Sequence, residues 1–289
     1  ELTSERAYTD TCAAIASVMW CWRMLLLTGE SQFADLMEHT LYNAVLPGLS
    51  LDGKTYFYQN PLADRGEHRR KEWFGCACCP PNVARLLAQL PGYFAATDDA
   101  GRIYLTLYAQ GEIRVGNTVV RVTGSYPWDG NLVIEAEGDA PALMVRLPAW
   151  AGEPGWREMP LVDGKATIAV DFPVEPRRVT ASGRALALRG QVALARGPLM
   201  YCVEQIDNEK ADVWDLALPD DAPISTENRD GVLVLRARGL SRASGEVPLY
   251  EGTEAGGQVV TPAALTAIPY FVWAHQTAGP MTVWLQRSL

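Results

Sequence analysis

From Thr9 to Gly29 the chain reads TDTCAAIASVMWCWRMLLLTG, apolar on nearly every side of a 3.6-residue period. Residues able to cap a helix (Thr9, Asp10 or Thr11) precede the run and Gly29 follows it. A helix is therefore predicted, with protein covering both of its faces. In SQFADLMEHTLYNAVLPG, residues Phe33, Leu36, Met37, Leu41, Ala44 and Val45 fall on one helical stripe that Pro47-Gly48 ends. SLDGKTYFYQNP reads as a short hairpin around Asp52-Gly53, and Pro80-Pro81 suits the first turn of a third helix running through NVARLLAQLPG.

The period switches near residue 97. RIYLTLY, EIRVG, TVVRVTGSY, NLVIEAEG, LMVRLPAW and KATIAVDF alternate with period two, separated by turn signals at Gly116-Asn117, Asp129-Gly130 and Asp163-Gly164. A second set follows in QVALARGPLMYCVEQ, GVLVLRARGL, LTAIPYFVWAH and MTVWLQRS, with a loop-rich stretch from Asp207 to Arg229 inside it. Regular short strands predict antiparallel β-sandwiches. The expected division is a helical part over 1–96, one β-sandwich domain over 97–190 and a second over 191–289. So few helices make no layer of their own: either they pack on the first sandwich, or they are the C-terminal piece of a longer helical domain.

The 289 residues carry a formal net charge of -9 with 20% charged residues, which argues against nucleic acid or an anionic membrane as partner, since both need a concentrated basic face. The one basic run, HRRK at His68–Lys71, reads as a solvated loop. Cys12–Leu27 is short for a membrane span and contains Arg23, and the polar N-terminus has no signal-peptide pattern. Six cysteines in a chain of this size, three of them crowded together, do not form a small secreted disulfide scaffold. A reducing, cytoplasmic compartment is expected.

The crowded three lie in FGCACCPPN, Phe74–Asn82. Thiolates this close repel unless a cation compensates, and soft sulfur ligands with one hard oxygen suit Zn²⁺ in a tetrahedron. Asp10 and Cys12, two residues apart at a helix start, are the best candidates to complete a set with Cys78 and Cys79. Cys78 and Cys79 immediately precede a helix N-terminus, which lowers a thiol's pKa, so the site could be an inert staple or an anionic nucleophile. A disulfide is disfavoured, because adjacent cysteines seldom bridge. A thiol redox protein is a further reading, and Cys21 and Cys202 read as buried packing.

AYTDTCAAIASVMWCWRMLLLTG, LYNAVLPGLSLDGKTYFYQNPL, WFGCACCPPNVARLLAQLPGY and IPYFVWAHQTAGPMTVWL resemble glycoside hydrolase family 127, whose best-known activity is β-L-arabinofuranosidase. The resemblance spans essentially the whole chain. It implies a retaining glycosidase in which a zinc-bound cysteine replaces the usual carboxylate nucleophile. By residue match the nucleophile is Cys78 and the zinc ligands are Asp10, Cys12, Cys78 and Cys79. It also implies an (α/α)6 barrel followed by β-sandwich domains, so that the helices here form part of such a barrel. The family pattern has glutamate where this chain has Asp10; the missing methylene shortens the reach by about 1.5 Å. The acid/base glutamate and the other barrel helices are expected upstream of Glu1, and the chain alone is therefore expected to be inactive.

Tyr58, beside Tyr56, Gln59 and Asn60, either lines a sugar site or packs in the hairpin. His68 either bonds a sugar hydroxyl or is an ordinary loop residue. Both are carried as substrate-binding candidates. The expected partner is an oligosaccharide or glycoconjugate containing L-arabinofuranoside, with a homodimer as one assembly state. The alternative to the hydrolase is a non-catalytic sugar-binding or scaffold chain with structural zinc.

Overall fold

In the computed structural model, which describes residues 3–76, 78–244, 258–277 and 279–288, helix α1 spans Thr11–Thr28. Ala77, inside the sulfur-rich turn, lies outside the described residues, as does the start of the polar N-terminus. The Asp10 backbone is extended, and its Oδ1 accepts from the Cys12 N–H at 2.6 Å, an N-cap. Gly29 ends the helix in the left-handed region at φ 71, where its N–H reaches Leu25 O. Helix α2, Ser31–Thr40, runs on into a π-helical turn, Leu41–Val45, and a 3₁₀ turn, Leu46–Gly48. Helix α3, Cys79–Gln89, carries Pro80 and Pro81 in its first turn, where a missing N–H loses no helical bond.

The helices share one core. Ile15, Val18 and Leu25 of α1 meet Ala34 and Met37 of α2 and Val83 and Leu86 of α3. Each fully buried large aliphatic there contributes about 1.5–3 kcal/mol. The opposite stripe of α1 is open: Trp20 is 54% and Leu27 79% exposed. The expectation of cover on both faces is thus not met among the described residues. By length and mean hydropathy, 1.4 over 18 residues, α1 could cross a membrane, but its other face is part of this core.

Beyond the helices, two four-stranded sheets face each other. One is built from Ala95–Thr97, Ile103–Leu105, Ala142–Leu147 and Gly155–Pro160, the other from Gly111–Val115, Thr118–Thr123, Asn131–Glu137 and Lys165–Asp171. In Asn131–Glu137 every second residue (Leu132, Ile134, Ala136) is buried, and these meet Ile103, Leu105, Leu143 and Val145 of the other sheet. A fully buried arginine ties α2 to them. Arg146 donates to Asp35 and, at 2.6 Å, to Glu38 Oε1, which also accepts from Tyr126 Oη at 2.6 Å. A buried charge is tolerated only when paired in this way.

Six described strands between Gln191 and Ser288 form a closed barrel. Its strands are, in ring order, Leu199–Glu204, Gln258–Pro269, Val232–Ser244, Leu216–Pro219, Leu285–Ser288 and Gln191–Arg196, the last pairing back with the first. Alternation divides its side chains: Val192, Leu194, Leu199, Tyr201, Leu235 and Leu265 fill one cluster, while Ala193, Cys202, Val234 and Ile268 point to another, with Phe57, Tyr270 and Trp273.

The expected fold class is therefore corrected. The described residues hold three α-helices packed against each other, not part of an (α/α)6 barrel, and the C-terminal strands close into a six-stranded barrel rather than a second β-sandwich. Closure depends on Leu216–Pro219, inside the stretch that reads as loop, pairing in parallel with Leu285–Ser288. Two open sheets packed as a sandwich do not join into such a ring.

Candidate metal centre

Two chain segments meet at the cysteines, and each is fixed by backbone bonding. Residues 9–11 run antiparallel to 58–60: the Thr11 N–H donates to Tyr58 O at 2.9 Å and the Asn60 N–H to Thr9 O at 3.0 Å. Buried Thr11 donates its hydroxyl to Phe57 O at 2.9 Å and accepts from Asn60 Nδ2 at 2.9 Å. This holds the start of α1, and with it Asp10 and Cys12, against the hairpin. On the other side, the Cys78 N–H donates to Cys76 O at 2.9 Å, and the Asn82 N–H donates to Cys78 O at 3.2 Å as α3 begins.

These anchors bring Cys12, 67 residues away in sequence, to 3.6 Å from Cys79, Sγ to Sγ. Cys78 Sγ is also 3.6 Å from Cys79 Sγ, and all three sulfurs lie within 4.8 Å of one another. Asp10 Oδ1 sits 3.8 Å from Cys79 Sγ while it caps α1. Donor identity and spacing fit Zn²⁺. With Zn–S bonds of about 2.3 Å, a tetrahedron separates its sulfurs by about 3.8 Å, and a carboxylate oxygen from a sulfur by about 3.6 Å. Asp10 Oδ1 comes near this distance to Cys79 Sγ alone, and the ligand atoms grouped within 4.8 Å of one another are the three sulfurs.

The three thiols differ electrostatically. Burial pushes Cys12 up, and burial plus hydrogen bonding to Cys12 and Cys78 pushes Cys79 well up. Burial also acts on Cys78, but hydrogen bonds from Cys79, Cys12 and Cys76 outweigh it, so this thiol lies below the ordinary cysteine value. Cys79 is fully buried, Cys12 and Cys78 are half-buried and Cys76 is exposed. Asn82 Nδ2 donates to Cys12 Sγ at 3.1 Å. Sequence reading had passed over Asn82, although it stands four residues after Cys78 and so on the same side of the helix start.

Tyr58 lies at this site. Its hydroxyl is 2.5 Å from that of Tyr8, and hydrogen bonding to Tyr8 and to Asp10 raises its pKa. His68 is turned elsewhere: its ring lies 4.6 Å from Phe57 at a 31° tilt and stacks on Trp273 at 5.7 Å, and Nε2 lies 2.7 Å from Gln59 O. None of these described contacts is to a cysteine. The HRRK run is not a plain solvated loop. The Arg70 guanidinium sits 4.1 Å over Phe57 and donates to Trp273 O at 2.7 Å and Pro47 O at 2.8 Å. Its burial lowers its pKa to about 10. Cys21 and Cys202 are core, as their surroundings in sequence suggested.

The geometry defines a protein with a three-cysteine cluster capable of coordinating a metal, formed where the starts of α1 and α3 meet. The profile of the β-L-arabinofuranosidase GH127 catalytic domain matches residues 1–92, and that of the glycoside hydrolase family 127 C-terminal domain matches residues 176–286. The chain belongs to glycoside hydrolase family 127. It is 31% identical to a non-reducing end β-L-arabinofuranosidase of Bifidobacterium longum subsp. longum, an alignment covering 99% of this chain and 50% of that protein. A solved GH127 β-L-arabinofuranosidase from Geobacillus stearothermophilus T6 superposes with TM-score 0.86 at 31% identity, over 100% of this chain and 51% of the other. A second GH127 β-arabinofuranosidase gives TM-score 0.85 at 31% identity, over 98% and 50%. The chain spans about half the length of these relatives.

Proposed function

We propose that this chain carries the nucleophile side of a retaining glycoside hydrolase acting on L-arabinofuranosides, with Cys78 as nucleophile and Asp10, Cys12, Cys78 and Cys79 as ligands of one Zn²⁺. The observation that supports it most is the sulfur spacing: 3.6 Å from Cys79 to each of its neighbours, near that of a tetrahedral site. The substrate class rests on the relatives described as β-L-arabinofuranosidases.

Zinc, when bound, would keep the sulfurs anionic at neutral pH and moderate their basicity. Cys78 is placed to attack, being half-buried at the N-terminus of α3, whereas Cys79 is fully buried. Its Sγ would form a bond to the anomeric carbon as the bond to the leaving oxygen breaks. Water would then attack from the face opposite the sulfur, the one the leaving group vacated, breaking the C–S bond, so that two inversions give retention. Tyr58, hydrogen-bonded to Asp10, would contact the sugar. His68 would support the hairpin behind it through its ring contact with Phe57. Asp10, the one carboxylate in described contact with the cysteines, stands on the sulfur side. The proton for the leaving group therefore has no described donor here, and the isolated chain is proposed not to turn over substrate.

A non-catalytic zinc staple has one observation in its favour: the cluster cross-links the starts of α1 and α3. Alkylation separates the two readings. In a Cys76→Ser background, iodoacetamide should modify Cys78 well ahead of Cys12 and Cys79 in the zinc-loaded chain, as mapped by peptide mass spectrometry. Equal, slow modification of all three would favour the staple.

A further inference from the structure

We propose that Asn82 is a positioning residue for the metal centre, its side-chain amide donating a hydrogen bond to the Cys12 sulfur and so stabilising that sulfur as a thiolate ligand. The inference rests on the zinc reading above and concerns a residue outside the ligand set.

Three thiolates and a carboxylate around one dication leave excess negative charge, which hydrogen-bond donors must offset. A helix N-terminus ordinarily supplies them as backbone N–H groups. The start of α3 has been stripped of two: Pro80 and Pro81 carry no N–H, and the Asn82 N–H is engaged with Cys78 O at 3.2 Å. The Cys12 N–H is likewise taken, by Asp10 Oδ1 at 2.6 Å. Asn82 Nδ2, at 3.1 Å from Cys12 Sγ, fills the gap. Among the described hydrogen bonds it is the one donor to a cluster sulfur from a residue other than cysteine. An amide donor bonds an anionic sulfur more strongly than a neutral thiol, whose sulfur is only a weak acceptor.

Cys12 is also the ligand that needs such help most. Cys78 and Cys79 come from one tight turn whose backbone holds them together, whereas Cys12 arrives on a separate helix. The Asn82 bond therefore joins α3 to the sulfur that α1 contributes and fixes its direction.

The test uses the full chain as Asn82→Ala and as Asn82→Leu, the second keeping the side-chain volume without a donor. Zinc affinity is read by competition with a chromophoric chelator, the thiolate-to-metal charge-transfer band is read with Co²⁺ in place of zinc, and metal-free melting serves as the fold control. Both variants should lose about 10–100-fold in zinc affinity. Their Co²⁺ band should move to lower energy, because an unbonded thiolate gives up its electrons more readily, and metal-free melting should match the parent. Unchanged affinity with an unmoved band would overturn the role of Asn82 alone. Weakened affinity with an unmoved band would also overturn it, reducing Asn82 to packing. A parent chain that binds neither metal would overturn the zinc reading itself, and this inference with it.

Discussion

Glu204 lies at the end of a barrel strand, 4% exposed, with Oε1 accepting from the Ala274 N–H at 2.8 Å. Ala274 is held at φ 58, a left-handed conformation costly for a residue with a Cβ, and this bond helps to pin it. Burial raises the carboxyl to about 7; the Ala274 bond and the charges of Arg70 and Arg229 oppose the shift, and Asp207 adds to it. In the unfolded chain the same group titrates near 4.5. The native state therefore holds the proton more tightly. Stability is highest below the unfolded value and falls as pH rises through the folded one, by roughly 3 kcal/mol at most. Glu204→Gln keeps the acceptor and removes the ionisation. In urea unfolding the variant should nearly match the parent at pH 4 and exceed it by about 1–3 kcal/mol at pH 8. A difference independent of pH would contradict the assignment.

Among the elements, the 3₁₀ turn Leu46–Gly48 presses on the start of α1. A Cβ at Gly48 would lie 2.7 Å from Thr11 Oγ1 and 2.9 Å from its Cγ2, and Thr11 is buried with its hydroxyl bonded on both sides. Gly48→Ala should cost about 1–3 kcal/mol in thermal or urea unfolding. Gly92→Ala, which meets nothing within 4 Å, should be close to neutral. Equal stabilities for the two would show that this contact does not hold α1. Elements with strong local signals were legible in the sequence. Asp10 and Gly29 bracket α1, Pro80-Pro81 open α3, and Asn131–Glu137 alternates cleanly. Gly155–Pro160 and Leu216–Pro219 were missed because GWREMP does not alternate and LALP is only four residues long. Their pairing, Gly155–Pro160 with the preceding strand Ala142–Leu147 and Leu216–Pro219 with the distant Leu285–Ser288, makes them β, not their own composition.

At the scale of the whole molecule, what was hidden is what depends on long-range closure. The barrel needs the parallel register of Ala217 with Gln286, and Arg70 leaves its apparently solvated run to bond backbone carbonyls of Trp273 and Ala274, more than two hundred positions away. No local period encodes either. The candidate site was more legible than the fold, since crowded sulfurs advertise their chemistry whatever scaffold carries them. Cys12, Cys78 and Cys79 do converge, and Asp10 caps α1 beside them. His68 joins an aromatic stack instead, which only the folded position of Trp273 reveals.

The account turns on one cation drawing the starts of α1 and α3 together. Zinc K-edge X-ray absorption on the purified chain, with metal content measured on the same sample, tests this most directly. The account predicts about one zinc per chain, with three sulfurs at about 2.3 Å and one oxygen at about 2.0–2.2 Å. A chain that retains no zinc, or zinc surrounded only by oxygen and nitrogen, would contradict it.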